Sequence, residues 1–329
     1  MNGSGAEGSP LERVGGVAGT HSTEAFELLG DGTRLAILLA LWEAYDPLSG
    51  ENAVGFSDLR RRVGYDDPGN FDYHLDKLVG RFVRRTDDGY ELEPVGLKLV
   101  QTVIAGTGER ATFEPAGLDA PCHLCGGPTV LDYADGWLYQ RCTDCAGGLP
   151  EHEGHPEGAL FGQPFPPAAL ENRTPEELFA ASVFRLVQVM IMKDGGLCPR
   201  CSGVVESSLD VCEAHDPGPD GRCPACGRAA ELRVSWVCAV CKYAGGASPA
   251  AAVLSHPDVT AFYRDHGVDI VAPDDFESAR RILTLLREHE SELRSTDPVR
   301  IRVTVRCEGD ELTLTLDEGM EVLDVTGND

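Results

Sequence analysis

Along the first hundred positions, apolar residues repeat with helical spacing between glycine and proline breaks. Leu35, Leu38, Leu39 and Trp42 share one face of a helix predicted over 33–45, and a shorter helix is predicted over 23–29. Gly30, Asp31 and Gly32 separate them, with Ser22 and Asp31 as N-caps. Residues 46–55 read as a polar loop. From Phe56 a short helix, a turn and a second helix follow. In the second helix Phe71, Leu75 and Leu78 stand at i, i+4 and i+7 and should pack inward. Asp67 is its expected N-cap, and Pro68 and Gly69 mark its start. Another face carries Asn70, Tyr73, His74, Lys77 and Arg81. Residues 82–86 and 90–92 read as strands joined by a turn at Asp87, Asp88 and Gly89. A helix over 94–104 presents Val95, Leu99 and Ile104.

The pattern changes beyond residue 113. Short strands are predicted at 131–133 and 137–141. Residues 150–170 are rich in Pro, Gly and Ala and read as a linker. Thr174, Pro175 and Glu177 make a capping box at the head of a helix. Its apolar stripe is Phe179, Val183, Leu186, Val187, Met190 and Ile191. Helices are predicted at 261–266 and 276–294. Val299, Ile301, Val303, Val305 and Cys307 then alternate with charged or hydroxyl residues, as in a half-buried strand. Leu312, Leu314 and Leu316 give a second strand, and 320–325 a third. The fold class is multidomain α+β. Its expected parts are a disordered tail (1–20), a helical and hairpin domain (21–113), a zinc-ribbon-like module (114–149), a linker and helix (150–194), a double metal-binding module (195–247) and a small α+β module (248–329).

Cysteine spacing supplies the strongest chemistry. Cys122-x2-Cys125 and Cys142-x2-Cys145 are separated by sixteen residues, which is zinc-ribbon spacing. Four thiolates close a tetrahedral site and leave no open position, so this zinc would be structural. Further on, Cys198-x2-Cys201 precedes Cys212-x2-His215, and Cys223-x2-Cys226 precedes Cys238-x2-Cys241. Ligation between nearest pairs gives one site of three cysteines and a histidine and one of four cysteines. A cross-braced alternative joins the first pair to the third and the second to the fourth. About three structural zinc ions per chain are expected on this ligand count. Cys307 belongs to an apolar strand face and is no ligand. His152 and His155 are loop histidines beside a complete ligand set. Thiol–disulfide exchange is disfavoured, because the pairs come in matched sets among short Gly/Pro-rich segments.

Helix, helix and hairpin in residues 56–92 follow the order of a helix-turn-helix with a wing, a device that reads duplex DNA. Asn70, Tyr73, His74, Lys77 and Arg81 offer groups for base edges and phosphates, and Arg84 and Arg85 would stand beside the backbone. The competing reading is a helical core with a solvated polar face, or a motif that touches only proteins.

Net charge modifies that picture. The chain carries 54 acidic and 28 basic residues, a formal charge of −26. Like charge opposes DNA binding. However, residues 56–92 hold seven Arg/Lys against eight Asp/Glu, so the excess negative charge lies elsewhere. At ~1 M salt the Debye length is only about 3 Å, and distant charges are screened. This acidic balance, with lysine only at 77, 98, 193 and 242, resembles proteins of extreme halophiles. With no leader pattern and no long apolar run, a cytoplasmic protein without membrane contact is expected. Reduced thiols there favour metal over disulfides.

Residues 25–41, then the FSDLRRRVG and NFDYHLDKLVGRFV segments, resemble the ArsR-type winged-helix repressors. The matching positions are Leu29, Asp31, Arg34, Leu35, Ile37 and Leu38, then Tyr73, His74 and Leu75. The resemblance spans roughly residues 22–105. It implies a sequence-specific DNA-binding regulator that dimerises through terminal helices. The Cys-x-Cys of metal-sensing members is missing from this region, so metal sensing there is not implied. Joining a winged helix to a zinc ribbon also resembles general transcription initiation factors of the factor E type, which contact the transcription machinery. A zinc-rich protein scaffold is the third class. No nucleophile–base pair, phosphate loop or open metal site stands out, and no enzymatic activity is expected.

Overall fold

The computed structural model describes residues 28–106, 112–149, 154–218, 223–228 and 230–327. It is a mixed α+β protein of helices and several small sheets, in two compact units divided near residue 109. The expected tail, Ser22 and most of the 23–29 helix lie outside the described residues; Leu28 and Leu29 are helical.

The first unit begins with α1 (Gly32–Glu43), capped by the Asp31 carboxylate, which accepts from the Thr33 and Arg34 N–H groups. This helix is apolar on most sides. Its buried face is Ile37, Leu38, Ala40 and Leu41, with Leu39 and Trp42 only partly buried, so the predicted stripe is displaced. α2 (Phe56–Val63) closes on Gly64 at φ 71°, a left-handed conformation that glycine adopts without penalty. The Arg60 guanidinium then donates to the Tyr65 and Asp66 carbonyls and holds the turn. α3 (Pro68–Leu78) starts under the Asp67 cap and fully buries Phe71, Leu75 and Leu78.

The hairpin β1 (Val83–Thr86) and β2 (Gly89–Leu92) follows in antiparallel register. Val54, in the stretch expected to be a polar loop, adds a two-way backbone bridge to Tyr90 at 2.8 and 3.0 Å. A side chain at Gly89 would run into the Val54 backbone, so the tip of the hairpin needs glycine. α4 (Pro94–Ile104) packs through Gly96, Leu99 and Val100. Val95 and Ile104, expected on that face, are exposed.

In the second unit, β3 (Ala116–Leu118), β4 (Thr129–Ala134), β5 (Trp137–Cys142) and β6 (Ala159–Pro164) form an antiparallel sheet in that order. β6 lies within the expected linker. Its Ala159, Leu160 and Phe161 are buried, and the Pro/Gly composition around them hid a short strand. α5 (Pro175–Asp194) carries the predicted capping box and buries Phe179, Val183, Val187 and Met190. A second sheet joins β7 (Val205–Val211), β8 (Leu232–Cys238) and β9 (Ala244–Ala247). Three helices follow: α6 (Pro249–Ala252), α7 (Pro257–Asp265) and α8 (Phe276–Leu285).

A third sheet holds β10 (His289–Thr296), β11 (Val299–Cys307), β12 (Asp310–Leu316) and β13 (Val322–Gly327). The helix expected over 276–294 thus ends at Leu285, and its second half is strand β10. Glu290, Glu292 and Arg294 are tolerated in a helix, but β10 is an edge strand whose conformation is set by its ladder with β11. One apolar core runs through the unit, including Leu131 and Leu138, Phe179 and Val183, and Ile282, Val303 and Leu314.

Candidate metal centres and nucleic-acid interface

Three groups of ligand atoms converge in the second unit. They are Cys122, Cys125, Cys142 and Cys145; Cys198, Cys201, Cys238 and Cys241; and Cys212, His215, Cys223 and Cys226. Within each group the atoms lie within 4.8 Å of one another. All eleven cysteines expected as ligands, and His215, are used. Cys307 is buried in the core among none of them, and burial pushes its thiol up.

The pairing in the second and third groups differs from both sequence-based alternatives. It is nested, with the first Cys-x2-Cys pair meeting the fourth and the second pair meeting the third. The hairpin dictates this. β7 and β8 are antiparallel, with Val205 opposite Cys238 and Val211 opposite Leu232. The pair before β7 therefore lies beside the pair after β8, and the pair after β7 beside the pair before β8. Each strand has seven residues, so the groups sit roughly 20 Å apart at the two ends of the ladder, at about 3.3 Å per residue.

The separations suit a tetrahedral ion. Cys122 and Cys145 sulfurs are 3.7 Å apart, Cys125 and Cys142 3.5 Å, Cys198 and Cys241 3.6 Å, and Cys201 and Cys238 3.5 Å. Cys226 Sγ lies 3.6 Å from His215 Nδ1. With Zn–S bonds of about 2.3 Å, tetrahedral geometry places sulfurs about 3.8 Å apart. The groups can hold metal ions such as zinc.

Backbone geometry prepares the thiolates. The Cys122 carbonyl accepts from Gly126 N–H, and its own N–H donates to the Gly127 carbonyl, both at 2.8 Å. The same pair of bonds recurs at Cys198, Cys223 and Cys238. The N–H groups of Cys241 and Val240 point at the Cys238 sulfur from 3.4 Å and hold that thiol down at about 6 against the opposing effect of burial. In the first group, Cys145 is pushed up to about 12. The Gly147 N–H lowers it, but burial and the neighbouring Cys142 sulfur outweigh that bond. Sulfurs this close cannot all carry charge unless a cation shares it.

In the first unit, α3 presents Asn70, Tyr73 and Lys77 on its exposed side. Tyr73 is 54 % exposed, and the Lys77 ammonium stands 5.4 Å from the centre of its ring. Asn70 Nδ2 donates to the Tyr65 hydroxyl at 2.7 Å, an orienting contact the sequence pattern did not single out. Arg84 and Arg85 are exposed on β1. Arg84 pairs with Glu91 across the hairpin at 3.0 Å, and Arg85 stacks on Tyr90. Arg81 is half-buried after α3.

His74 departs from its expected place. It is 9 % exposed, edge-on to Tyr65 and Tyr73, with Nδ1 3.5 Å from the Asp31 carboxylate. Positions 71, 74, 75 and 78 complete an i, i+3, i+4, i+7 stripe, so His74 belongs to the buried side. It braces α3 against the cap of α1. Burial raises the Asp31 carboxyl, yet bonds from Arg34 and Thr33 N–H and the charge of His74 bring it below its ordinary value. Nearby in sequence to the first metal group, His152 lies outside the described residues. His155 stands edge-on to Trp137 and Tyr139 and belongs to no metal group.

Fold and site together define a mixed α+β protein with cysteine-rich groups fit for metal. Residues 119–322 match a family described as a domain of unknown function (DUF7351), and the chain belongs to that family. Residues 22–103 match a second domain of unknown function (DUF7347). No curated protein and no solved structure matches the chain. Among the described residues no helix is long and apolar enough to cross a membrane.

Proposed function

We propose that this chain is a sequence-specific DNA-binding transcriptional regulator of ArsR-like, winged-helix type, acting as a homodimer and carrying three structural zinc ions in its second unit. One observation carries the reading. α3 buries Phe71, Leu75 and Leu78 completely while leaving Asn70, Tyr73 and Lys77 outward, beside a hairpin bearing Arg84 and Arg85. An asparagine on such a face can pair with an adenine edge, and the cations suit phosphate. His74 is left out of this contact set because it is buried. Val95 and Ile104 on α4 are exposed apolar residues, as a dimer contact through the terminal helix requires.

The test is binding of genomic duplex fragments in molar KCl, followed by footprinting. The expected result is a protected palindrome without any other protein, and at least a hundredfold loss of affinity in K77E/R84E/R85E. Unchanged affinity in that variant would favour the protein scaffold. Protection that appears only with polymerase would favour the factor E-like reading.

A further inference from the structure

The second unit contains a cavity of about 480 Å³, bounded by β5, β6, α5, β8 and β9. We propose that it binds a small organic anion with a flat apolar body, of the aromatic carboxylate class. The reading goes beyond DNA binding and does not depend on it.

The walls are apolar. Trp137, Leu186, Val189, Met190, Leu232 and Trp236 supply most of them. That volume lies in the range of sites that enclose small molecules, where a few polar groups set orientation. The charge of the lining is the unusual feature. Arg185, Arg228 and Arg233 reach the cavity, and no Asp or Glu lines it among the described residues. Yet acidic residues outnumber Lys and Arg almost two to one in the chain. A pocket of random surface composition would carry carboxylates. This one selects for a negative group on an apolar molecule.

The key side chains are held in place. The Trp236 ring packs against Gly245, where an added Cβ would meet the ring at 2.5 Å. The Arg233 guanidinium crosses Gly246, where an added Cβ would have to displace it. Two successive glycines on β9 thus take one aromatic and one cation on opposite faces of the sheet, and both residues border the cavity. The Lys193 ammonium stands 5.2 Å from the centre of the Trp236 ring and is itself buried against Asp194. Arg228 Nε and Trp236 Nε1 are buried with no hydrogen-bond partner among the described residues, although the Arg228 side chain also hydrogen-bonds the Cys226 sulfur. Unpaired buried donors are uncommon, because each forgoes its bond to water. A carboxylate in the cavity would give such donors an acceptor.

The experiment is isothermal titration calorimetry of the full, zinc-loaded chain in molar KCl with 2-naphthoate, its neutral twin 2-naphthamide, and acetate. The expected result is saturable binding of 2-naphthoate, at least tenfold tighter than 2-naphthamide, with acetate weaker than either. R233Q should bring the naphthoate preference down at least tenfold. R185Q, at an exposed position, should reduce it in a variant whose fold is not at risk, with retained zinc as the check. The proposal is overturned if 2-naphthoate does not bind saturably, if the amide binds as tightly, or if R185Q and a zinc-replete R233Q both keep the full preference.

Discussion

Both units have apolar cores, but they differ in what else can hold them. The first has a closed apolar core in which Ile37, Leu38, Leu59, Phe71, Leu75, Leu78 and Val83 are buried from three helices and a hairpin. No cysteine occurs there. In the second, β7 has no fully buried residue, and the ladder it forms with β8 ends at both extremities in cysteine-rich groups. β7 is an edge strand of a small three-stranded sheet and brings little apolar face of its own. Where those groups hold metal, burial and coordination are alternative ways to offset chain entropy, and one chain uses each in a different place.

Metal removal should separate the units most sharply. Structural zinc contributes apparent binding free energies of roughly 10–16 kcal/mol per site. Chelation should therefore abolish amide-exchange protection in 198–247 while α1 to α4 keep theirs. If protection in the hairpin survives complete loss of metal, coordination is incidental and the contrast between the units fails.

The reciprocal change is Leu75→Ala. Leu75 is fully buried, and truncation of such a side chain costs ~2–5 kcal/mol. The unfolding free energy of the first unit should fall by that amount with zinc content unchanged. A comparable shift in the second unit's transition would show that the two are energetically one body.

Legibility followed the same division. Period alone revealed α3, because its burial is decided by three apolar side chains and a local cap at Asp67. The ligand residues were visible as well, since Cys-x2-Cys spacing is a local constraint. The partition of the first group was visible too, but that of the four pairs between Cys198 and Cys241 was not. Which pair meets which depends on β7 turning back along β8, and that register is a long-range choice. Strand β10 escaped for the same reason, since its sequence tolerates helix and its conformation comes from pairing with β11. His74 was misjudged although its position was readable. Its polarity drew attention away from the stripe it completes. The cavity joins residues from β5 to β9, and no local pattern announces it.

A smaller effect tests how far local signals govern the first unit. The Asp67 carboxylate accepts from the N–H groups of Gly69 and Asn70 at 2.9 and 3.2 Å. Replacing an N-cap with alanine typically costs ~1 kcal/mol. Asp67→Ala should lower the first unit's unfolding free energy by that amount and loosen the start of the proposed reading helix. No change would mean that the core alone fixes α3.

The finest distinction lies inside the metal knuckles, where backbone preference and coordination act on the same turn. Four of them share one geometry, with the residue after the second cysteine in the left-handed region. Gly126 at φ 76° and Gly227 at φ 69° suit it, whereas Ser202 at φ 58° and Lys242 at φ 61° do not. A non-glycine residue in that region bears a penalty of roughly 1–2 kcal/mol, partly offset by the greater chain entropy glycine loses on folding. S202G and K242G should therefore each raise the unfolding free energy at fixed free zinc, by something under ~1 kcal/mol. G126A should lower it by a similar or larger amount, as Gly126 has open space around it and only its conformation at stake. If all three are neutral, the ion imposes the turn whatever residue occupies it, and coordination outweighs backbone preference even at the scale of one residue.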